Sequence, residues 1–392
     1  MFIKNVLKNN MCSGCGLCSE QEKDMQIDAL GFLRPVKPIE DDISLNCCPG
    51  IKVEQTQDSD YDSIWGAILA SYTGYSLNSD VRKMGSSGGV LTALLTSLLE
   101  TNVVDAIIQV GASDINPLRN QVVITQDSCE LIKNAGSRYA PSSPLSVVRS
   151  LMGNGKKYAI VAKPCDIAAL RALTERDTSV KEQFPVLLSF MCAGIPSEKA
   201  TYDILNKFKV DMKEVKSFRY RGDGWPGLTT AVDLQGKAYS MPYNESWGSI
   251  LNRKLQVRCK ICVDGTGELA DIVCADAWHE SKDGYPSFEE KQGRSLILVR
   301  TAQGKNVLEK AVSEGFVGLE GEYPVSNLPK IQPYQMNRKK TLLARIFALK
   351  LFGVTTPKYK GFYLFRLMFK TNPAVSLKIF LGTFVRKMKG RL

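Results

Sequence analysis

Two knots of cysteine constrain this chain more than any other feature. The first reads Cys12-Ser-Gly-Cys15-Gly-Leu-Cys18 and is closed farther along by Cys48-Pro49. A triple run at this spacing with a distant Cys-Pro is the ligand pattern of a cubane iron–sulfur cluster. Gly14 and Gly16 allow the loop to curl around such a group. A structural zinc site usually pairs two Cys-x2-Cys knuckles instead. Cys47 competes for the fourth position, and the adjoining Pro49 favours Cys48. The second knot is Cys259-Lys-Ile-Cys262, with Cys165 and Cys192 upstream, each after a strand pattern. On residues alone, Cys259 and Cys262 are open between zinc, a redox dithiol and a cluster, while Cys165 and Cys192 also read as small buried residues. Ligands gather at strand ends of α/β sheets, so these four cysteines could enclose a second cube.

The remaining composition narrows the function classes. The chain has 392 residues, 44% hydrophobic and 23% charged, as in an ordinary globular protein of two or three domains. The short polar N-terminus lacks a signal-peptide pattern, and apolar runs such as 91–99 are too short to span a bilayer. Eleven cysteines without an export signal imply a reducing, cytoplasmic setting. One histidine, His279, excludes a histidine triad or a multi-histidine metal site and reads as structural. From residue 338 onward there are 14 Lys and Arg and no Asp or Glu, which leaves 37 basic against 40 acidic side chains elsewhere, a net of −3. The excess positive charge belongs to the tail, which argues against a nucleic-acid partner.

The pattern divides the chain into four stretches. Residues 1–55 are poor in apolar side chains and organised by cysteine and a turn at 30–35, so a cluster would supply much of their stability. A polar linker is expected over 54–60. The body divides at about residue 180 into halves 61–180 and 181–336. It alternates helix patterns (90–99, 167–173) with strand patterns (103–110, 158–162, 184–190, 271–274, 295–300), giving an α/β or mixed α+β architecture. The tail, 337–392, holds helical patches at 341–351 and 361–370, broken by Gly353, Pro357 and Pro373. Its alternation of basic and apolar residues suits an amphipathic helix on an anionic membrane or a partner, placing the protein peripherally at the inner face of the membrane. Equally, it suits a basic helix packed on the body.

Three further stretches invite a site reading. Gly85-Ser-Ser-Gly-Gly89 places a glycine turn at a helix N-terminus, where a phosphate or merely a serine-capped turn fits. Arg219-Tyr-Arg-Gly-Asp-Gly-Trp-Pro-Gly227 could stack a planar ring and pair an anion, or be a surface loop. Asp271 and Asp276 are candidate polar anchors.

The ordered motifs resemble the coenzyme F420 hydrogenase/dehydrogenase beta-subunit family over residues 1 to about 336. They are Cys-Ser-Gly-Cys-Gly-Leu-Cys at 12–18, Gly-Phe-Leu-Arg-Pro at 31–35, Gly-Ser-Ser-Gly-Gly at 85–89 and Gly-Ser-Arg-Tyr-Ala-Pro at 136–141. Pro-Cys-Asp-Ile-Ala-Ala-Leu at 164–170, Arg-Gly-Asp-Gly-Trp-Pro-Gly at 221–227, the Cys259–Cys262 stretch and Ala-Asp-Ile-Val-Cys-Ala-Asp-Ala-Trp at 270–278 complete them. The resemblance implies a flavin-binding core with a small ferredoxin-like N-terminal segment, two 4Fe–4S clusters and FAD. Cys12, Cys15, Cys18 and Cys48 would hold one cluster and Cys165, Cys192, Cys259 and Cys262 the other. Ser86, Ser87, Gly88, Gly89, Arg138, Tyr139 and Lys163 would lie along the flavin. Relatives commonly have Gly-Thr-Pro-Cys where this chain has Ala162-Lys-Pro-Cys165, so Lys163 could stabilise a reduced flavin or alter a substrate pocket. The implied activity is an iron–sulfur flavoprotein oxidoreductase. It would take electrons from a ferredoxin-like donor to FAD and on to a small-molecule substrate, with Lys163, Asp166 or water delivering protons; a polysaccharide-biosynthesis setting is known among similar proteins. The alternatives are an electron-transfer beta subunit of a larger complex and a metal-stabilised scaffold without catalysis. A homo-oligomer is expected.

Overall fold

Strand patterns that are apolar on every position, such as Tyr158-Ala-Ile-Val-Ala162, require cover on both faces, and the architecture provides it. In the computed structural model, which describes residues 2–56, 61–279 and 287–392, eight strands form one mixed sheet. In chain order they are β1 (Ala70–Ser76), β2 (Ala106–Ala112), β3 (Asn120–Thr125), β4 (Tyr158–Ala162), β5 (Val186–Phe190), β6 (Ile272–Asp276), β7 (Ser295–Val299) and β8 (Val317–Glu322). Across the sheet the order is β8-β1-β7-β6-β5-β4-β2-β3. The four central strands β6, β5, β4 and β2 run parallel, and antiparallel strands flank them on both sides.

Side chains alternate between two cores, as a period of two demands. Ile107, Ala159, Val186, Leu188, Ile272 and Ile297 face the helices Val90–Glu100 and Ala302–Ser313. Ile108, Ile160, Leu187, Val273 and Leu298 face the opposite layer, which contains the helix Pro164–Thr174. Each fully buried Leu or Ile contributes roughly 1.5–3 kcal/mol. The N-terminal segment has no core of its own: Met11, Cys15, Leu17, Cys47 and Val53 join this second layer. A satellite antiparallel sheet (Val215–Arg219, Leu228–Asp233, Ala238–Pro242) packs with the helix Glu198–Phe208 around Phe218 and Tyr220.

Several sequence expectations need correction. The linker expected over 54–60 begins inside a strand: Lys52–Glu54 pairs in parallel with Lys358–Lys360, and residues 57–60 lie outside the described residues. The serine cap considered for the glycine turn does not form; Gly89, at φ +73°, is the N-cap of helix Val90–Glu100. Pro373 opens a helix instead of breaking one. It is the first residue of Pro373–Met388, where its missing N–H is harmless, and Asn372 caps Ala374. Tail and body also merge, because Arg338 and Lys339 are buried. No helix among the described residues is long and apolar enough to cross a membrane.

Candidate electron-transfer site

The carboxyl ends of β1, β4, β5 and β6 open on one edge of the sheet, and the chemistry-bearing residues collect there. Lys163 and Cys165 follow β4, Cys192 follows β5, and Asp276 ends β6.

The N-terminal cysteine loop reaches this edge with Gly14 at φ +76° and Gly16 at φ +91°, as a curling loop needs. It is pinned by Leu145 N donating to Cys15 O at 2.9 Å. A Cβ on Gly16 would come within 2.8 Å of Ser146 N, so no larger residue fits without displacing backbone. Cys48 is delivered by the helix Asp42–Cys47, capped by Asp41 on Ser44 N at 2.9 Å. Arg149 ties the two parts together, donating to both Asp41 oxygens (2.8 and 2.9 Å) and to Leu17 O (2.7 Å). Cys12, Cys15, Cys18 and Cys48 lie within electrostatic reach of one another, whereas the charged neighbours of Cys47 are Arg176, Asp42, Arg149 and Lys52. Cys48, the cysteine before proline, is the one beside Cys12 and Cys18, whereas Cys47 is buried in the core.

The second set converges from three elements. Cys165 lies in the first turn of helix Pro164–Thr174, Cys192 after β5, and Cys259 and Cys262 in and after the short helix Val257–Lys260. Cys165 feels Cys262 and Cys192, and Cys192 feels Cys259 and Cys262. Backbone and amide donors point at sulfur: Ile195 N (3.3 Å) and Gln256 Nε2 (3.4 Å) both reach Cys259 Sγ. Arg338 Nη2 donates to Cys192 O at 3.0 Å.

Burial first pushes the thiols of Cys15, Cys18, Cys48, Cys165 and Cys192 above their ordinary range; the Asp166 carboxylate comes next for Cys15 and Cys165, and neighbouring cysteines for the other three. Four thiolates in one buried pocket would require compensating positive charge, which iron would supply if bound. Arg258 provides an independent test of that fit. It is buried, donates to Pro49 O at 3.1 Å, and leaves Nε and Nη1 without a partner among the described residues, while Cys262, Cys165 and Cys259 are its charged neighbours. A cluster sulfide or thiolate would satisfy those N–H groups. No group of three or more His, Cys, Asp or Glu side chains among the described residues is arranged for a metal ion. A cubane spreads its thiolates around an iron–sulfide cube, farther apart than the ligands of one ion, so that geometry addresses a different kind of site.

Lys163 and Asp166 lie between the two sets. Lys163 Nζ donates to Asp166 Oδ2 at 2.6 Å and to Ser142 O at 2.9 Å, and both side chains are buried. Burial disfavours the Lys163 charge, but Asp166 and the thiols of Cys165 and Cys15 more than offset it. Burial pushes the Asp166 carboxyl up against the opposing pull of Lys163.

The residues implied to lie along a flavin share this edge, but their polar groups are engaged. Ser86 Oγ accepts from Ser137 N, and Ser87 Oγ donates to Arg294 O at 2.8 Å. Gly88 is glycine because a Cβ would meet Ser295 N at 2.7 Å. Arg138 spends its guanidinium on Asn120 Oδ1 and the carbonyls of Phe218, Pro117 and Arg119, all at 2.8–2.9 Å. Tyr139 packs on Trp247, ring centroids 4.9 Å apart. The residues that the resemblance implies along a flavin therefore share a place, with their polar groups already bonded within the fold.

The Arg219–Gly227 stretch stacks its rings internally. Arg221 is buried, forks onto Asp276 (2.7 and 2.8 Å) and lies over Tyr243 and Trp278. Trp225 stacks on Trp278 at 4.9 Å and donates Nε1 to Asp276 at 2.7 Å. Asp271 instead serves the fold, accepting from Arg171, Leu187 N and Thr301. Beside Trp278, a cavity of about 210 Å³ is lined by His279, Arg294, Tyr323, Asn327 and Lys330. Sequence reasoning assigned no role to Arg258, Arg338 or Gln256; the one available signal was Arg258 preceding Cys259.

Two family models match, in order, along this same frame: the coenzyme F420 hydrogenase/dehydrogenase beta subunit N-terminal model over residues 71–149 and its C-terminal counterpart over 155–323. The chain belongs to the coenzyme F420 hydrogenase/dehydrogenase beta-subunit family. Among relatives of this beta-subunit-family chain is the coenzyme F420-dependent sulfite reductase of Methanocaldococcus jannaschii, 27% identical across 69% of the chain. The match spans only 40% of that protein's length. A coenzyme F420 hydrogenase subunit beta of Methanothermobacter thermautotrophicus is 24% identical over 72% of the chain and 95% of its own. The F420-dependent formate dehydrogenase 1 subunit beta of Methanococcus maripaludis is 24% identical over 62% of the chain and 59% of its own. A chain of the F420-reducing NiFe hydrogenase complex from Methanosarcina barkeri shares the fold, with TM-score 0.56 and 21% identity over 73% of this chain and 96% of its own.

Proposed function

We propose that this chain is an iron–sulfur electron-transfer subunit of a larger oxidoreductase assembly. The observation that carries the reading is two sets of four cysteines side by side, joined by Arg258, beside Cys259, donating to the Pro49 carbonyl beside Cys48. Cys12, Cys15, Cys18 and Cys48 would hold one 4Fe–4S cluster, and Cys165, Cys192, Cys259 and Cys262 the other. Such clusters supply one-electron transfer. The chain's own residues exclude water, direct N–H groups at sulfur and place cations beside the thiolates, the means by which proteins set a cluster's potential. Relatives named as beta subunits of a hydrogenase and a formate dehydrogenase support a role beside a partner subunit. FAD at the Gly85–Gly89 edge would connect one-electron and two-electron chemistry.

A second reading, an oxidoreductase with its own small-molecule site, rests on the cavity beside Trp278, where the rings of Trp278 and Tyr323 would suit a planar molecule. Anaerobic purification with iron, sulfide, zinc and flavin analysis tests both. About eight iron and eight sulfide per chain are expected for two cubes. Zinc in their place overturns the assignment. Turnover of an artificial donor and acceptor without any partner would favour the second reading.

A further inference from the structure

The helix Pro373–Met388 is packed on one side only. Thr383 is buried, and Phe384 meets Phe352 with ring centroids 4.9 Å apart, seating the helix against Leu342–Lys350. A surface helix docked this way should turn polar residues outward. This one does the reverse. Leu377, Leu381, Val385 and Met388 are 58%, 50%, 42% and 62% exposed. Spaced by three or four residues, they form one continuous apolar stripe on the side away from Thr383. Lys378 and Lys389, both exposed, border it, and Arg386 follows around the helix. The preceding helix, Leu364–Phe369, adds Phe365 and Phe369 at 62% and 82% exposure, with Arg366 and Lys370 beside them.

We propose that this outward face docks on an anionic lipid bilayer. Apolar side chains bordered by lysine, on a helix carrying Lys378, Arg386 and Lys387 with Lys389 just after it and no carboxylate, match a surface that offers acyl chains beneath negative headgroups. The helix is about 24 Å long at 1.5 Å per residue, and its polar flanks direct it to lie in the interface. The inward aromatic contacts keep the rest of the protein attached to the docked face.

The test uses the full-length, cluster-loaded protein with two vesicle compositions, phosphatidylcholine alone and equal parts phosphatidylcholine and phosphatidylglycerol, scored by co-sedimentation. Binding to the mixed vesicles should be at least roughly tenfold tighter and should weaken with salt. Leu377→Glu with Leu381→Glu should reduce it by roughly a hundredfold or more, with iron content and circular dichroism unchanged. Because those changes could disturb packing, Lys378→Gln with Lys389→Gln, on exposed positions, should lower anionic binding several-fold while leaving the fold intact. Equal binding to both compositions, or none at low salt, overturns the proposal. So does light scattering that shows a dimer made monomeric by the leucine changes, since the stripe would then join two copies of this chain.

Discussion

The two cysteine sites differ in how the chain builds them and in the charge placed around them. The N-terminal site is local: three of its cysteines share one glycine-shaped loop, and its own nearby cation, Arg149, is neutralised by Asp41, while Lys163, neutralised by Asp166, lies between the two sites. The core site is assembled by topology, with one cysteine after each of two neighbouring parallel strands and two from a distant helix and loop. Its cations, Arg258 and Arg338, give their hydrogen bonds to neutral oxygens of Pro49, Cys192 and Gln335. Unneutralised positive charge stabilises a reduced, more negative cluster. On the proposed two-cluster reading, the core site would be the electron sink and the N-terminal site the lower-potential entry.

The largest effects should come from single ligands. Cys48→Ser should remove about four iron per chain and leave the body folded, because its sheet is complete without the N-terminal loop. Cys192→Ser should also remove about four iron but lower thermal stability more, since that site lies against the strand ends. Equal destabilisation would break the comparison. Next, Arg258→Met should lower the core cluster's midpoint, followed by electron paramagnetic resonance in a redox titration. A nearby charge is worth on the order of 2 kcal/mol at an effective dielectric of about 20, or on the order of 90 mV for one electron. A larger shift at the N-terminal cluster would refute the assignment of this cation to the core site.

How much of this was readable follows from the same contrast. The N-terminal knot is nearly all sequence-local, and the choice of Cys48 over Cys47 rested on its proline; the structure turns Cys48 toward Cys12 and Cys18. The buried strand at 158–162 appears at those residues, because an all-apolar run between turns has few other fates. The convergence of Cys165, Cys192, Cys259 and Cys262 depends on strand order, which no local signal encodes, so residues alone left that site open between cluster, zinc and buried thiols. The family model match and the shared sheet edge belong to that second kind of information. Pro373 misled because a proline that breaks a helix and one that begins a helix look alike until the cap, Asn372, is seen to bond Ala374. Arg138, which the resemblance implied would lie along a flavin, has its guanidinium on four oxygens of the fold, a set of partners that no local signal encodes.

A smaller effect separates the two sites by backbone. Gly16→Ala forces a side chain at φ +91° against the backbone of Ser146, whereas Gly194→Ala, at φ +133°, meets first the end of the Leu255 side chain, which can move, and Cys259 Cβ only at 3.2 Å. Gly16→Ala should cost about 1–3 kcal/mol in denaturant titration and loosen the N-terminal cluster. If Gly194→Ala costs more, the N-terminal loop is the more adaptable of the two.

The smallest effect is a pH dependence confined to the N-terminal site. The hydrogen bond from Arg149, against a lesser opposing burial, holds the Asp41 carboxyl well below the usual carboxylate range, and the Ser44 N–H adds to it. An acid whose folded pKa is depressed stabilises the fold fully above its unfolded value, near 3.9, and that stabilisation is lost as pH falls from there through the lower folded value. Asp41 is partly exposed, so solvent screens the pair and the contribution is modest. Asp41→Asn removes the charge at every pH but keeps an N-cap. Hydrogen exchange in helix Asp42–Cys47 should thus be faster in the variant at pH 7, and the difference should begin to narrow only below about pH 4, where the carboxyl of the opened segment takes up a proton while the native one stays ionised. The core site, which lacks this pair, should show no such convergence. A difference that persists unchanged to about pH 2 would mean that Arg149 holds the segment through Leu17 O and Ser44 alone, and that the local site is fastened by neutral oxygens after all.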